Sequence, residues 1–303
     1  MGSDAGSRPT VADLLGSCPL PFARHDRVLL GHGSGGRLSA DLIHRLFLPI
    51  LGNDTLDRLE DQASCSLRPY ADATLAFTTD SFVVKPIFFP GGDIGTLSVY
   101  GTVNDLAMGG AVPLFLSAAF ILEEGLPIDD LRRIAVSMRA ACDRARITLV
   151  TGDTKVVDRG KGDQVFITTS GVGIVPAGRV LSAASCRPGD RIILSGTIGD
   201  HGIAIMSVRE NLEFETTLES DCAPLADLAR VLLAASPRLR CMRDPTRGGV
   251  SSALHELAAA SHVGMFLSER SIPVRREVAG ACEILGLDPL YVANEGKLIA
   301  IVP

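Results

Sequence analysis

Short apolar runs alternate with amphipathic helical patterns along most of the chain, which is typical of an α/β or α+β fold. The clearest helical pattern covers residues 128–146, where apolar side chains recur every three or four positions. Asp129 and Asp130 occupy its first turn, where the helix dipole favours negative charge. The pattern leads directly into a β-branched run at 147–150, and residues 164–175 predict a further strand.

A second α/β pattern follows the segment 176–189, which is polar and punctuated by proline and glycine. The pattern predicts strands at 191–197 and 298–302, with helices at 204–209, 225–235 and 250–260 between them. We therefore expect an N-terminal domain at 27–176 and a C-terminal domain at 177–303. Residues 1–26 are rich in Gly, Ser, Pro and Ala and predict a mobile tail.

Three aspartates follow predicted elements. Asp80 follows an apolar run that we expect to be a fully buried strand, Asp105 ends a helix-like run, and Asp153 follows the strand at 147–150. Ligands of α/β folds usually bind at such element ends. Lys155 adds an ammonium group, so the set predicts a divalent cation that holds a polyphosphate. Taken singly, each aspartate is more typical of a cap or a turn.

Four glycines within residues 31–36 precede a predicted helix, so the backbone there can approach a ligand closely. A glycine loop before a helix is one form of anion site, and Gly33 and Gly35 are its candidate phosphate contacts. A plain flexible turn is an equally good interpretation. No Gly-Lys-Ser/Thr follows, so the loop is not a Walker A motif.

Glu295 precedes the last predicted strand, and Asp244 lies in a second charged glycine turn at 243–249. A turn residue is the plainer interpretation of both. The functional interpretation of Glu295 is a general base or proton relay, which requires burial and a raised pKa. His32 and His201 flank glycines and are more typical of loop hydrogen bonding than of ligand contacts.

Composition narrows the function classes. The 303 residues suggest about two domains, and a hydrophobic content of 46% supplies a core. A net charge of −6 argues against a nucleic-acid partner. The seven cysteines form no C-x-x-C pair, so neither a zinc site nor a redox motif is indicated. No signal peptide or membrane-spanning run is evident, and we expect a cytoplasmic protein.

Seven motifs in order are more specific: LGHGSGGRLSADLI, TTDSFVVKPIFFPGGDIGTLSVYGTVNDLAMGGAVP, FILEEGLP, VTGDTKVV, SGTIGDHG, RDPTRGGV and ANEGKL. Together they resemble the HypE family of hydrogenase maturation factors. That family belongs to the superfamily of aminoimidazole ribonucleotide synthetase, selenophosphate synthetase and thiamine monophosphate kinase. The resemblance runs from about residue 29 to the last residue.

The resemblance implies a two-domain synthetase-like fold, with an N-terminal mixed sheet that forms a barrel in a homodimer and a C-terminal α/β domain. ATP and Mg²⁺ are expected in a cleft near the dimer interface. The implied activity is ATP-dependent dehydration of a carbamoyl group on a C-terminal cysteine to a thiocyanate. The thiocyanate is the source of the cyanide ligands of nickel-iron hydrogenases. The implied partners are the HypF carbamoyltransferase, which loads the cysteine, and the HypC–HypD complex, which receives the cyanide.

The motifs also imply roles for individual residues. Those expected to bind metal are Asp80, Asp105, Asp153 and, with a weaker match, Asp244. Those expected to bind ATP or phosphate are Asn104, Thr154, Gly33 and Gly35. Those expected to face the carbamoylated cysteine, as proton-handling or polarising groups, are Lys155 and Glu295.

The sequence departs from the family pattern at its end. The family ends in a flexible tail whose last residue is the carrier cysteine, whereas the last cysteine here is Cys282, within a helix predicted at 278–285. We therefore expect a truncation before the tail, which would prevent full turnover; Cys18 is a remote alternative carrier. Two other functions stay open: an ATP-dependent phosphotransferase acting on a free small molecule, and a catalytically silent platform that binds maturation partners.

Overall fold

The computed structural model describes residues 25–34, 36–59, 62–70, 72–210 and 218–303. Its strands are β1 Thr74–Phe82, β2 Phe88–Phe89, β3 Gly92–Asp93, β4 Val112–Glu123, β5 Thr148–Val157, β6 Val165–Val175, β7 Arg191–Leu194, β8 Cys241–Arg243 and β9 Ile299–Val302. Its helices are α1 Arg37–Leu42, α2 Leu48–Leu51, α3 Ile94–Met108, α4 Ile128–Ala145, α5 Asp200–Arg209, α6 Ala226–Ala235, α7 Gly249–Ser261 and α8 Arg276–Leu285, with a π-helical turn Ile43–Phe47 between α1 and α2.

The first sheet has four strands in the order β1-β6-β4-β5. The β4–β5 pair is parallel and the other two pairs are antiparallel. Parallel neighbours need a crossover connection, which the predicted amphipathic helix α4 supplies between β4 and β5.

Helix α3 lies on one face of this sheet and is nearly enclosed. Thirteen of its 15 residues are buried, so it is a core helix and shows no amphipathic stripe. It begins at Asp93, whose carboxylate accepts the N–H of Thr96 at 2.8 Å as an N-cap. Gly101 lets the helix approach β1, since an added Cβ would lie 2.8 Å from the Phe82 ring.

The other face of the first sheet carries exposed apolar side chains. Leu75 is 57% exposed and Phe77 is 67% exposed. The expectation that β1 is fully buried was therefore wrong, because only alternate residues of the strand face α3.

The second sheet has three antiparallel strands in the order β7-β9-β8. The C-terminal end of α3 enters its core, where Ala107 and Met108 share a cluster with Leu298 and Ala300. Helix α3 therefore spans both halves of the described chain, and side chains near its end lie where the halves meet.

The predicted element ends need correction. Strand β1 continues to Phe82, β5 continues to Val157, and α3 continues to Met108. Asp80 and Asp153 thus lie within strands, and Asp105 lies within a helix. Residues 151–157 pair with β4, so strand pairing outweighs the local turn tendency of the Gly-Asp sequence. In the described ranges, every helix is too short or too polar to span a bilayer.

Candidate functional site

Two adjoining cavities of about 630 and 590 Å³ open between the two halves of the chain. Side chains from β1, α3 and the loop after β8 line both. The shared residues are Asp80, Asp105, Asp244, Thr246 and Arg247. A polar cleft of this size between two units is a common place for a ligand site.

Three carboxylates meet in this cleft. Asp105 accepts a hydrogen bond from the Thr78 hydroxyl at 3.0 Å, and its pKa is raised by burial and by the charge of Asp80. Burial and the charge of Asp105 raise the pKa of Asp244 to about 6. The charges of Asp80 and Asp105 thus disfavour the ionised form of Asp244, and a bound cation would reverse this effect.

The donor set suits Mg²⁺ bound together with a nucleotide. In the described part of the chain, no group of three or more His, Cys, Asp or Glu side chains is placed to hold a metal ion. Mg²⁺ usually binds one or two carboxylates and takes its other ligands from water and phosphate. Arg243 and Arg247 lie beside the carboxylates and offset part of the rise in the pKa of Asp105, so cationic partners for phosphate are also present.

Glu295 lines the second of these cavities. Burial raises the pKa of its carboxyl group well above the ordinary value, and Asp244, Asp221, Asp80 and Asp105 raise it further. The burial and raised pKa that a general base requires are therefore both present. Its catalytic role stays a prediction.

Backbone contacts fix the position of Glu295. The side-chain amide of Asn104 donates to the Glu295 carbonyl at 3.1 Å, and the Glu295 N–H donates to Asp221 Oδ1 at 3.0 Å. Asp221 in turn lies 3.3 Å from the ammonium group of Lys297.

Asn104 itself is fully buried. Its amide donates to the carbonyls of Ala223 and Glu295, and its Oδ1 accepts from the Leu225 N–H. Both amide hydrogens are used within the chain, so a direct bond from them to phosphate would require one to be released. Its place among the phosphate ligands stays a prediction.

Asp153 and Lys155 lie elsewhere in the chain. Strand β5 is three strands from β1, which separates Asp153 from Asp80 by about 14 Å across the sheet. Asp153 and Lys155 are 65% and 64% exposed, and their charged groups are 3.7 Å apart. The expectation that Asp153 and Asp80 share a metal ion is therefore wrong within a single chain.

The glycine loop packs against β5. A Cβ on Gly33 would lie 2.3 Å from the backbone nitrogen of Val156, so only glycine fits there. Gly33, Asp153, Thr154 and Lys155 line a separate cavity of about 220 Å³. Gly35 and Cys18 lie outside the described residues.

Several residues of the cleft escaped the sequence analysis. Arg243 and Arg247 flank Asp244 in a motif from which only the carboxylate was singled out. No local sequence pattern predicts the contact of Asp221 with Glu295 or of Ser220 with His201. Only the fold reveals them, because the contacts join residues that are 74 and 19 positions apart in sequence.

Comparison with known proteins agrees with this architecture. Residues 60–175 match the N-terminal domain of AIR synthase related proteins, and residues 187–303 match their C-terminal domain. Carbamoyl dehydratase HypE of Cupriavidus necator is 57% identical over 275 residues, which cover 91% of this chain and 78% of that protein. The chain belongs to the HypE family. The two-domain synthetase-like fold that the resemblance implied is confirmed.

Solved HypE structures superpose closely. A crystal structure of HypE in complex with ATP has a TM-score of 0.87 at 49% identity and covers 91% of this chain and 81% of that one. A crystal structure of a HypE–HypF complex has a TM-score of 0.74 at 48% identity, with 86% and 84% covered. The boundary expected at 176/177 lies between the two domain matches and stays a prediction.

Proposed function

We propose that this chain is an ATP- and Mg²⁺-dependent carbamoyl dehydratase of nickel-iron hydrogenase maturation, which converts an S-carbamoyl group on a cysteine to a thiocyanate. One observation carries the proposal: Glu295 is a buried carboxyl group of raised pKa that lines the same cleft as Asp80, Asp105 and Asp244. The names of the HypE relatives and the HypE–ATP structure support the same reaction.

The reaction proceeds through phosphorylation because a carbamoyl oxygen is a poor leaving group. The oxygen attacks the γ-phosphorus of ATP, ADP leaves, and the new C–O–P linkage then breaks at the C–O bond. The carbamoyl nitrogen loses both protons as the C≡N bond forms. Overall, the S-carbamoyl group and ATP give a thiocyanate, ADP and phosphate. The carbamoyl oxygen ends in the phosphate.

The cleft residues supply three functions. One or two of Asp80, Asp105 and Asp244 would hold Mg²⁺ together with the phosphates, and the ion would supply charge neutralisation at the transferring phosphate. Arg243 and Arg247 add positive charge beside the phosphate path. Glu295 takes protons from the carbamoyl nitrogen, and its raised pKa makes it a stronger base than an ordinary glutamate.

We further propose a homodimer that completes the site. The first sheet exposes Leu75, Phe77 and Ile121, and β1 and β5 are its edge strands among the described residues. A second copy that closes the sheet into a barrel would join the β5 edge of one subunit to the β1 edge of the other. Asp153 and Lys155 would then serve the cleft that contains Asp80 of the neighbouring subunit.

Mixed dimers test this arrangement. Asp80→Asn and Asp153→Asn variants are each expected to be inactive alone. After unfolding and random reassociation, a site shared between subunits regains about one quarter of wild-type activity, because half of the dimers are mixed and each has one intact site. No recovery would mean that the two aspartates act within one subunit or not in one site.

The reaction itself is tested with a short peptide that ends in S-carbamoylcysteine, supplied in trans with ATP and Mg²⁺. The peptide is expected to lose one water, by mass spectrometry, in step with ADP formation. Glu295→Gln, which keeps shape and removes the base, should bind ATP and form no thiocyanate. A phosphorylated product that retains the carbamoyl oxygen would favour the phosphotransferase alternative. A chain that does not bind ATP would favour the catalytically silent platform.

The remaining roles follow from this reaction. We propose HypF as the donor of the carbamoyl group, which the HypE–HypF structure supports. We propose the HypC–HypD complex as the acceptor of cyanide, and a cytoplasmic location. Pull-down by HypF and by HypC–HypD checks the partners.

A further inference from the structure

His201 is a buried side chain that the proposed reaction leaves without a role. It occupies the first turn of α5 and is 7% exposed. Its ring meets the Phe89 ring edge-on, with centroids 5.6 Å apart. The preceding Gly199 donates its N–H to Asn294 Oδ1 at 2.8 Å, which ties the start of α5 to the residue before Glu295.

Ser220 lies within hydrogen-bond distance of one ring nitrogen of His201. The Ser220 hydroxyl oxygen accepts the Cys222 N–H at 3.1 Å and lies 2.8 Å from His201 Nδ1. Because a hydroxyl can donate and accept at once, the Ser220 proton can point at Nδ1 while its oxygen accepts from Cys222. Burial lowers the pKa of His201 to about 4, so the ring is neutral. A neutral ring that accepts at Nδ1 carries its proton on Nε2.

In this tautomer the protonated Nε2 faces Glu295. The Nε2–Oε1 distance is 3.9 Å, longer than a hydrogen bond, as catalytic contacts often are before the substrate binds. We propose that His201 is a positioning residue, whose Nε2–H directs the Glu295 carboxylate at the carbamoyl nitrogen while Ser220 holds the required tautomer. The inference rests on the proposed dehydration.

The surroundings explain why a neutral donor is useful there. The titratable or charged groups that act on Glu295 or face its neighbours are His201, Cys222, Asp221, Asp244, Asp80, Asp105 and Lys297. Four of these are acids that oppose ionisation of Glu295. A neutral imidazole can donate to the carboxylate without adding a buried positive charge.

Two amide substitutions test the two ring nitrogens of His201 one at a time. His201→Asn keeps a polar group near the Nδ1 position, beside Ser220, and removes the nitrogen that faces Glu295. His201→Gln keeps a polar group near the Nε2 position. We expect the Asn variant to lose about ten- to a hundredfold in kcat with little change in KM for ATP, and the Gln variant to retain most of kcat. Thermal unfolding of both variants checks that each is folded.

Nitrogen-15 NMR of labelled histidine gives a second readout that needs no turnover. We expect the Nε2-protonated tautomer of His201 in the wild type, a mixed or reversed tautomer in Ser220→Ala, and a shift of the Nε2 signal in Glu295→Gln. Equal losses of kcat in the Asn and Gln variants, or a proton on Nδ1 in the wild type, would overturn the proposal. If the wild type does not dehydrate the peptide, the proposed function fails. The NMR spectrum then still shows whether His201 Nε2–H contacts Glu295.

Discussion

The side chain of Asn104 donates to the backbone carbonyl of Glu295 at 3.1 Å, across 191 positions of sequence. The same side chain bonds the backbone of Ala223 and Leu225. Helix α3, which carries Asp105, therefore holds the loop that carries Glu295. The proposed metal ligand Asp105 and the proposed base Glu295 are therefore both positioned by one buried helix.

Asn104→Asp should disrupt these hydrogen bonds between α3 and the loop that carries Glu295. A carboxylate cannot donate to the two carbonyl groups, so both would lose their partner and face a buried oxygen. We expect the free energy of unfolding to fall by about 2 to 4 kcal/mol and dehydration to fall more than ATP affinity. Denaturant unfolding and calorimetric titration with an ATP analogue check the two effects. Unchanged unfolding would mean that these bonds do not stabilise the fold.

Asp244→Asn tests how much the ionised carboxylate of Asp244 destabilises the folded protein. Because the folded pKa of Asp244 is raised to about 6 from its ordinary 3.8, ionising it destabilises the fold without a cation. The amide removes that cost. The variant should therefore melt at a higher temperature than wild type above about pH 6, with the gain lost as the pH falls toward 3.8. Its Mg²⁺-dependent ATP affinity should fall.

The control for the Asp244→Asn prediction is the melting temperature of the wild-type protein with saturating Mg²⁺ and an ATP analogue, measured over the same pH range. Ligand binding should raise its melting temperature most where Asp244 is ionised, and the increment should shrink as the pH falls below 6. A variant that melts like wild type at pH 8 without ligand would contradict the electrostatic explanation.

Much of the fold was predictable from periodicity, and the reasons for the failures are specific. Helix α4 was predictable because one face is apolar and the other charged, and strand β6 because of its β-branched residues. Strand β5 was cut short because Gly152 and Asp153 are turn formers, whereas their pairing with β4 decides the structure. Asp80 and Asp105 were singled out as carboxylates at predicted element ends, and the family motifs added roles for them and for Asp244 and Glu295. Asp221 and Ser220 enter only through contacts across the chain.

Gly33→Ala should reduce activity without unfolding the protein. The added methyl group would overlap the backbone of Val156, so the glycine loop must move away from β5. We expect ATP-dependent dehydration to fall by about tenfold and stability by about 1 to 3 kcal/mol. Gly36→Ala is the matched control, because no atom lies within 4 Å of its added Cβ. Equal effects of both substitutions would contradict the packing argument.

Lys297→Met should be strongly destabilising. Lys297 lies 3.3 Å from Asp221 and 3.8 Å from Asp200, and both carboxylates are almost fully buried. Asp200 keeps its ion pair with Arg275 at 3.3 Å, whereas Asp221 loses the one cation that pairs with it among the described residues. A buried charge left without a partner costs about 3 to 5 kcal/mol. Lys85→Met is the control: its pair with Asp163 is exposed, and an exposed pair contributes about 1 kcal/mol or less. Urea unfolding of both variants measures the difference.

The most direct test of the central claim follows the carbamoyl oxygen. A peptide ending in S-carbamoylcysteine, labelled with oxygen-18 in the carbamoyl group, is incubated with the protein, ATP and Mg²⁺. Dehydration through a phosphorylated carbamoyl group predicts one labelled oxygen in the released phosphate for every thiocyanate formed. Unlabelled phosphate, or ADP formed while the peptide keeps its label, would contradict the account.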